Sequence, residues 1–297
     1  MTVRPFENRD LPGLLDLLKT QDERASQRSM TPESRSIEEL TLELGELSPY
    51  TEMVPLVLEE GGRIAAYVAL CNYEGEVFLE GPLLHPELHP DIGPLLERVI
   101  GEAKVRGYNF LEAFIDEENR HARDALAKSS FEPFHTTYIY EFRRGTSLKP
   151  LSPSRLRFEV SNDVEVGLYR DLYRETSDNW ATRLAWRDED LLERFADPDV
   201  SLTVVYEDGA PVAHLELERL PDEGYAEIAY FGVLPAARGK KLSRDLLLRA
   251  LHDVLQDEAV ELVLARAHDD ERAASFALEA VGFRLSHGVV SYTLELA

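Results

Sequence analysis

The chain repeats itself over the length of a whole domain. Three landmarks occur twice in the same order: a glycine turn between two apolar runs, a strand that ends two residues before a proline, and a helix-to-strand junction with a phenylalanine. In the two copies they are residues 60–67 and 207–214, Leu84 and Val233, and Phe131 and Phe283. The copies lie ~150 residues apart, far above the periods of solenoid repeats. Such a repeat predicts two similar domains.

The domain boundary is predicted in a segment rich in glycine, serine and proline, residues 145–154. The predicted domains are therefore residues 1–146 and 155–297. Two domains also agree with the length of 297 residues, since a domain usually has ~100–200 residues. In each half, hairpin strands come first and a strand–helix–strand unit follows. This order predicts an α/β fold of the α+β type, with a mixed sheet and helices on both faces.

The composition limits the partners that the protein attracts. A formal net charge of −24 repels nucleic acids and anionic membranes and favours cationic partners. No apolar run approaches the ~20 residues of a membrane helix, and the charged N-terminus does not resemble a signal peptide, so we expect a cytoplasmic protein. The single cysteine, Cys71, is expected in the core. His85 and His89 have zinc-helix spacing, but prolines interrupt them, and no metal site is expected.

The segment of residues 225–249 carries the clearest chemical signal. A strand ends near Val233, a turn follows, and an amphipathic helix begins near Leu242. The turn and the helix start are basic in an otherwise acidic chain, with Arg238, Lys240, Lys241, Arg244 and Arg249. Backbone N–H groups at a helix N-terminus bind anions, whereas cations there are unfavourable without an anionic ligand. The segment therefore predicts a phosphate site.

Residues 238–243 resemble the pyrophosphate loop of the GNAT N-acetyltransferases, Arg/Gln-x-x-Gly-x-Gly/Ala. Arg238 and Ser243 fit this pattern, while Lys241 replaces the first glycine. The resemblance implies that acetyl-CoA is the acyl donor and that its diphosphate is bound by residues following the strand end, namely Val233, Arg238, Gly239, Lys240, Lys241, Leu242 and Ser243. Gly282-Phe283 also matches the family, but Leu278 stands where many members have a catalytic tyrosine, so the general acid is unassigned; Ser275 and Tyr292 are weak substitutes.

Residues 225–228, Tyr-Ala-Glu-Ile, resemble the Phe-Ala-Glu-Ile of histone-acetylating GNAT enzymes, whose glutamate is the general base. An amine must lose a proton before it attacks, and a carboxylate near it can accept that proton. The resemblance thus implies that Glu227 is the base and that the Val233 N–H stabilises the oxyanion, with Gly232 easing a bulge in the strand. Strand alternation predicts that Glu227, Ala229 and Phe231 share one face. A plain solvated position for Glu227 remains an alternative.

The first half resembles the fold of the family but lacks its motifs. Its corresponding loop, residues 89–94, has no Arg or Lys and contains two prolines. Phe78 stands in place of Glu227, although Asn119 matches the asparagine that begins a family helix. We therefore expect a degenerate N-terminal GNAT-like domain with a structural role.

The predicted function is an acetyl-CoA-dependent N-acetyltransferase that acts on a primary amine of a small molecule or peptide, with no metal. Trp180 and Trp186 lie where the family covers its acceptor pocket, and they are candidate substrate-binding residues as well as candidate core residues. The acidic charge favours a cationic acceptor and argues against aminoacyl transfer from tRNA. The alternative is a non-catalytic acyl-CoA-binding or scaffold protein.

Overall fold

The computed structural model describes the chain except for Glu33, Glu46, Leu47, Pro49, Glu74, Ser152, residues 177–183, Ala185 and Ala297. The chain divides into two compact units, unit 1 with Met1–Thr137 and His287–Ala297, and unit 2 with Tyr138–Ser286. The residues of the predicted linker that are described form no helix or strand, and they belong to unit 2. The last strand of the chain returns to unit 1, which sequence patterns did not indicate.

Unit 1 is a mixed sheet with helices on both faces. Its elements are β1 (Thr2–Pro5), α1 (Leu11–Glu23), α2 (Ile37–Glu43), β2 (Glu52–Glu60), β3 (Arg63–Tyr73), β4 (Glu76–Leu84), α3 (Gly93–Val105), β5 (Phe110–Asp116), α4 (Arg120–Lys128), the start of β6 (Glu132–Arg143) and the end of β12 (Arg284–Glu295). The strand order is β1–β2–β3–β4–β5–β12. All pairs are antiparallel except β4 with β5.

Unit 2 has the same order of elements. They are β7 (Arg157–Ser161), α5 (Val166–Thr176), α6 (Asp188–Ala196), β8 (Val200–Glu207), β9 (Ala210–Leu220), β10 (Tyr225–Val233), α7 (Leu242–Val254), β11 (Leu262–His268) and α8 (Arg272–Val281), with the end of β6 and the start of β12. The strand order is β7–β8–β9–β10–β11–β6. β10 and β11 are parallel, and the hairpins before them are antiparallel. The repeat and the mixed α/β architecture are thus confirmed.

Each unit has two hydrophobic cores, one on each face of its sheet. In unit 2, α7 and α8 pack on one face, where Leu242, Leu246 and Leu247 are buried on one side of α7, as predicted. On the other face, α5 and α6 bury Tyr173 and Phe195. Helices therefore pack on both faces of the central strands.

Two residues singled out in the sequence are core residues of unit 1. Cys71 is fully buried, and burial raises the pKa of its thiol, which disfavours the reactive thiolate. Tyr292 is buried in the core under α3 and α4, and its hydroxyl accepts a hydrogen bond from Arg123 Nε at 3.0 Å. Tyr292 thus belongs to unit 1 and not to the unit with the phosphate-loop motif. No helix among the described residues is long and apolar enough to span a membrane.

Candidate active site

The two central parallel strands of unit 2 separate halfway along their length. β10 pairs with β11 from Tyr225↔Leu262 to Ile228↔Ala265. Beyond that point β10 continues to Val233 and β11 continues to His268 without further registered pairs. The separation leaves a gap between the strands, directly before the turn that leads to α7.

A β-bulge lies at the point of separation. Residues 228 and 230 of β10 pair with consecutive residues of β9, so Ala229 is the extra residue. The bulge was expected near Gly232, and its actual position changes the faces of the strand. Phe231 packs against the core that contains Ile228, whereas Glu227 points to the opposite face. The prediction that Glu227, Ala229 and Phe231 share a face is therefore wrong, because the bulge shifts the alternation by one residue.

Glu227 is a partly buried, ion-paired carboxylate. Its side chain is 16% exposed, and its Oε1 lies 2.8 Å from Nη2 of Arg266 on β11. Arg266 is itself mostly exposed. The carboxylate is thus neither freely solvated nor sealed in the core, and the guanidinium orients it on the face that α5 and α6 cover.

More charged groups are buried on this face. Glu218 lies directly opposite Glu227 in the register of β9 and β10. Arg194 on α6 donates from Nη2 to Glu218 at 2.8 Å and from Nε to Glu216 at 2.6 Å. Glu216 has no exposed surface and also accepts a hydrogen bond from Tyr169 at 2.9 Å. Pairing of this kind offsets the large cost of burying a charge.

A buried histidine connects the end of α5 to the sheet. Thr176 Oγ1 donates to the Leu172 carbonyl at 2.7 Å, so its 2.7 Å contact with His214 requires the imidazole Nε2–H to donate. His214 Nδ1 is buried without a hydrogen-bond partner. Burial lowers the pKa of His214 to about 4, so the ring is neutral at neutral pH. Gly232 lies opposite His214, and its missing side chain leaves room for Thr176.

The turn after β10 has a left-handed backbone at two positions. Gly239 has φ +83° and Lys241, the N-cap of α7, has φ +64°. Glycine adopts this conformation without steric cost, which explains why the family pattern has glycine where this chain has Lys241. No side chain caps the N-terminus of α7. Its first backbone N–H groups thus remain available to an anion.

The cations of the turn have different partners. Arg238 Nε donates to the Val233 carbonyl at 3.2 Å, and Lys240 forms an ion pair with Glu207 at 2.6 Å. Arg244 Nε is buried without a hydrogen-bond partner. The Leu242 side chain belongs to the core, so only its backbone can contact a ligand. A buried unpartnered guanidinium N–H beside an uncapped helix N-terminus fits a phosphate group.

Backbone N–H groups at the end of β10 point into the gap. Leu234 donates its N–H to the Val212 carbonyl on the β9 side at 2.9 Å. Successive peptide groups of a strand point to opposite edges. The N–H groups of Val233 and Phe231 are therefore directed away from β9, toward the edge where β11 has separated.

The remaining residues singled out in the sequence have positions that do not by themselves indicate a chemical role. Trp186 packs partly buried against the core under α5 and α6, while Trp180 lies outside the described residues. Leu278 is fully buried, and Gly282 ends α8 with φ +114° close to Phe142. Among the described residues, no group of His, Cys, Asp or Glu has the arrangement of a metal site.

Sequence reasoning missed several residues of this face. Arg266, Arg194, Glu216, His214 and Thr176 carry no motif, and their partners are distant along the chain. The only available signal was the repeated occurrence of charged residues inside apolar strands. Such residues are rarely buried without partners, but the sequence does not say which partners they have.

Comparisons with known proteins concern the family pattern of unit 2 and the fold of the chain. The sequence profile described as "Acetyltransferase (GNAT) family" matches residues 166–283. A tandem GNAT protein from the clavulanic acid biosynthesis pathway is 17% identical, with a TM-score of 0.65 over 100% of this chain and 98% of that chain. A GCN5-related N-acetyltransferase from Sphaerobacter thermophilus is 17% identical, with a TM-score of 0.72 over 99% and 95%. No curated protein matches the chain by sequence.

Residues 166–283, within unit 2, carry the sequence pattern of the GNAT family, and the whole chain has the fold of solved GNAT proteins, one of which is a tandem GNAT protein. This family pattern is typical of acyltransferases.

Proposed function

We propose that unit 2 is an acetyl-CoA-dependent N-acetyltransferase that acts on a primary amine of a small molecule or peptide. The observation that carries the proposal is the strand gap that leads directly to an uncapped, basic helix N-terminus. The gap provides backbone donors for an acyl group, and the helix start provides donors for a diphosphate. The two features are adjacent in the chain, because β10 ends at Val233 and α7 begins at Leu242.

The residues of the turn would hold the donor by its diphosphate. The backbone N–H groups of Leu242 and Ser243 begin α7, and the side chains of Arg238, Lys240, Lys241 and Arg244 supply positive charge around them. Acetyl-CoA would supply an activated thioester. Before any ligand binds, an ion pair with Glu207 keeps Lys240 near the turn, and a hydrogen bond to the Val233 carbonyl keeps Arg238 there. This order in the unliganded protein reduces the entropic cost of binding.

Two N–H groups of β10 are suited to the carbonyl of the acyl group. Val233 was the predicted donor, but with the bulge at Ala229 it lies five register steps beyond Glu227, ~17 Å along the strand. Phe231 lies three register steps beyond Glu227, ~10 Å at the same rise. We therefore propose the Phe231 N–H, which lies nearer to Glu227, as the hydrogen-bond donor to the acyl carbonyl. The Val233 N–H would instead contact a part of acetyl-CoA that lies farther from Glu227. One well-aimed oxyanion donor contributes roughly 3 kcal/mol.

Glu227 would accept the proton of the attacking ammonium. Its carboxylate is partly exposed on the face that α5 and α6 cover, while the acyl group would lie in the gap between the strands. An acceptor that enters along this face thus meets Glu227 before the thioester. Glu218 and Glu227, opposite each other in the register, give this entrance acidic character, which supports a cationic acceptor. Trp186 is a candidate wall of the same entrance.

Binding and turnover test separate parts of the proposal. Calorimetric titration with acetyl-CoA should show binding that weakens at least tenfold in Arg244→Leu, with Arg249→Leu as the control because that guanidinium stacks on Phe158 instead. Release of free thiol from acetyl-CoA in the presence of primary amines should fall at least 100-fold in Glu227→Gln, with unchanged acetyl-CoA affinity. Absence of acetyl-CoA binding to the wild-type protein rejects the proposal.

A non-catalytic acyl-CoA-binding or scaffold protein is the second candidate. The observation that favours it is the buried Leu278 at the position where the family tyrosine acts as general acid. Acetyl-CoA binding without amine-dependent thiol release would support this candidate. With either function, we propose a cytoplasmic location for the protein, on the basis of its composition.

A further inference from the structure

In unit 1, the gap between the parallel strands is filled by the chain itself. β4 pairs with β5 only at Phe78↔Glu112 and Leu79↔Ala113. β4 continues to Leu84 and β5 to Asp116, as the strands of unit 2 do beyond their last pair. Residues Arg28–Met30, here called the gap segment, lie between them and form an antiparallel bridge at Ser29↔Ile115.

The gap segment makes hydrogen bonds with both strands. The donors and acceptors are Met30 N–H to the Phe114 carbonyl at 2.9 Å, Asp116 N–H to the Arg28 carbonyl at 3.2 Å, Gly81 N–H to the Met30 carbonyl at 2.6 Å and Ser29 Oγ to the Pro82 carbonyl at 3.2 Å. These are the backbone groups that a ligand in this gap would need. A ligand that entered would have to break all four bonds.

A buried asparagine holds the gap segment in place. Asn119 has no exposed surface. Its Nδ2 donates to the Arg28 carbonyl at 3.1 Å, and its Oδ1 accepts from the Ala122 N–H at 3.2 Å at the start of α4. Asn119 is a residue of unit 1 that still matches the family pattern. In this unit its amide binds the gap segment.

The helix that follows β4 does not offer an anion site. The Gly93 N–H at the start of α3 donates to Asp91 Oδ1 at 3.1 Å, and Pro94 has no N–H. A cavity of about 460 Å³ beside this helix is lined by three carboxylates, with Lys128 and His121 also in the lining. The acidic lining consists of Asp91, Glu97 and Asp124. A phosphate would meet negative charge where α7 of unit 2 presents positive charge.

We infer that the gap segment is a built-in substitute for a ligand, so that unit 1 binds no acyl-CoA and the chain binds one CoA. The stoichiometry rests on the proposed function of unit 2, whereas the occupation of the gap in unit 1 does not. The retained asparagine is a positioning residue for the gap segment, and the fold of unit 1 is kept without its binding function.

Amide hydrogen exchange of the unliganded protein tests the gap segment. The N–H groups of Met30, Gly81 and Asp116 should exchange as slowly as amides inside the sheet. Asn119→Asp keeps the acceptor for Ala122 but removes the donor to Arg28, and it should accelerate exchange at these three amides at least tenfold. Asn72→Asp is the matched control, since it keeps an acceptor for Gly75 and loses a donor to Tyr108.

Titration with CoA completes the test. We expect one CoA per chain, with new exchange protection at residues 231–244 and unchanged rates at Met30, Gly81 and Asp116. Two CoA molecules per chain, or CoA-dependent exchange at those three amides, would overturn the inference, as would rapid exchange there in the wild-type protein or equal effects of the two Asn→Asp variants. If no CoA binds, the proposed function fails, and the exchange rates alone decide the role of the gap segment. These wild-type measurements stand even if Asn119→Asp does not fold.

Discussion

Replacing Gly232 with alanine tests how closely the end of α5 must approach β10. A Cβ on Gly232 would lie 2.4 Å from the Cβ of Thr176 and 2.5 Å from its Oγ1. Carbon atoms in contact are ~3.5–4.0 Å apart, so one element must move by about 1 Å. The nearest atom is the Cβ of Thr176, which is fixed to the backbone of α5. A change of side-chain rotamer therefore does not relieve the overlap.

The expected cost has two parts. Overpacking a core position costs ~1–3 kcal/mol. Moving α5 away from β10 also breaks the 2.7 Å hydrogen bond between Thr176 and His214, which contributes ~1 kcal/mol, whereas the bond to the Leu172 carbonyl lies within α5 and moves with it. We expect Gly232→Ala to lower the free energy of unfolding of unit 2 by about 2–4 kcal/mol. Gly232 does not have a positive φ, so backbone strain adds nothing to this sum.

Urea unfolding followed by circular dichroism measures the loss. Gly209→Ala is the control, because Gly209 has φ +84° and no atom within 4 Å of the added Cβ, so it costs only the ~1–2 kcal/mol of left-handed backbone. Thr176→Gly in the Gly232→Ala background removes the overlapping Cβ and should recover at least about 1 kcal/mol in a double-mutant cycle. The reasoning is refuted if Gly232→Ala costs no more than Gly209→Ala, or if Thr176→Gly recovers nothing.

Three further predictions concern the same unit. Lys241→Gly should be more stable to urea than Lys241→Ala by about 1 kcal/mol, since both remove the charge but only glycine relieves the left-handed backbone; equal stabilities would contradict the assigned φ. Arg266→Leu should lower kcat and leave the KM for acetyl-CoA unchanged, because it releases Glu227 without touching the turn; a change confined to KM would show that Arg266 binds the donor instead. His214 has a folded pKa of about 4 against 6.5 when unfolded, so the unfolded state binds more protons between these values. Stability should be complete above about pH 6.5 and fall by about 3 kcal/mol as the pH drops to about 4, and a His214→Gln variant that shows the same pH dependence would disprove this origin.

The sequence was a reliable guide wherever structure depends on neighbouring residues. The turn at Gly209, the apolar face of α7 and the basic turn before it depend on backbone preferences and periodicity within about 20 residues. Their recurrence at a fixed spacing predicted two units of one fold. The same patterns indicated the strand end at Val233 and the helix start at Leu242, where the structure has them.

These sequence patterns did not predict the pairing register of β10 with β9. Strand geometry alone predicts that the side chains of residues 225–233 alternate regularly between the two faces. In the structure, the extra residue Ala229 places Phe231 against the core and on the face opposite to Glu227. A bulge forms where the partner strand and the packed helices require it. Its position depends on contacts with β9 and α5 rather than on the sequence of β10 alone.

The amino-acid sequence by itself determined the duplication, the order of elements in both units and the basic charge of the turn after Val233, because these follow from local preferences and from composition. Only the tertiary structure decided that Arg266 pairs with Glu227, that Gly232 admits Thr176, that most of the last strand belongs to unit 1 and that Arg28–Met30 fills the gap there. Each of these contacts joins residues far apart in the chain. Their selection depends on which close-packed arrangement buries the most apolar surface while leaving the fewest polar groups without partners.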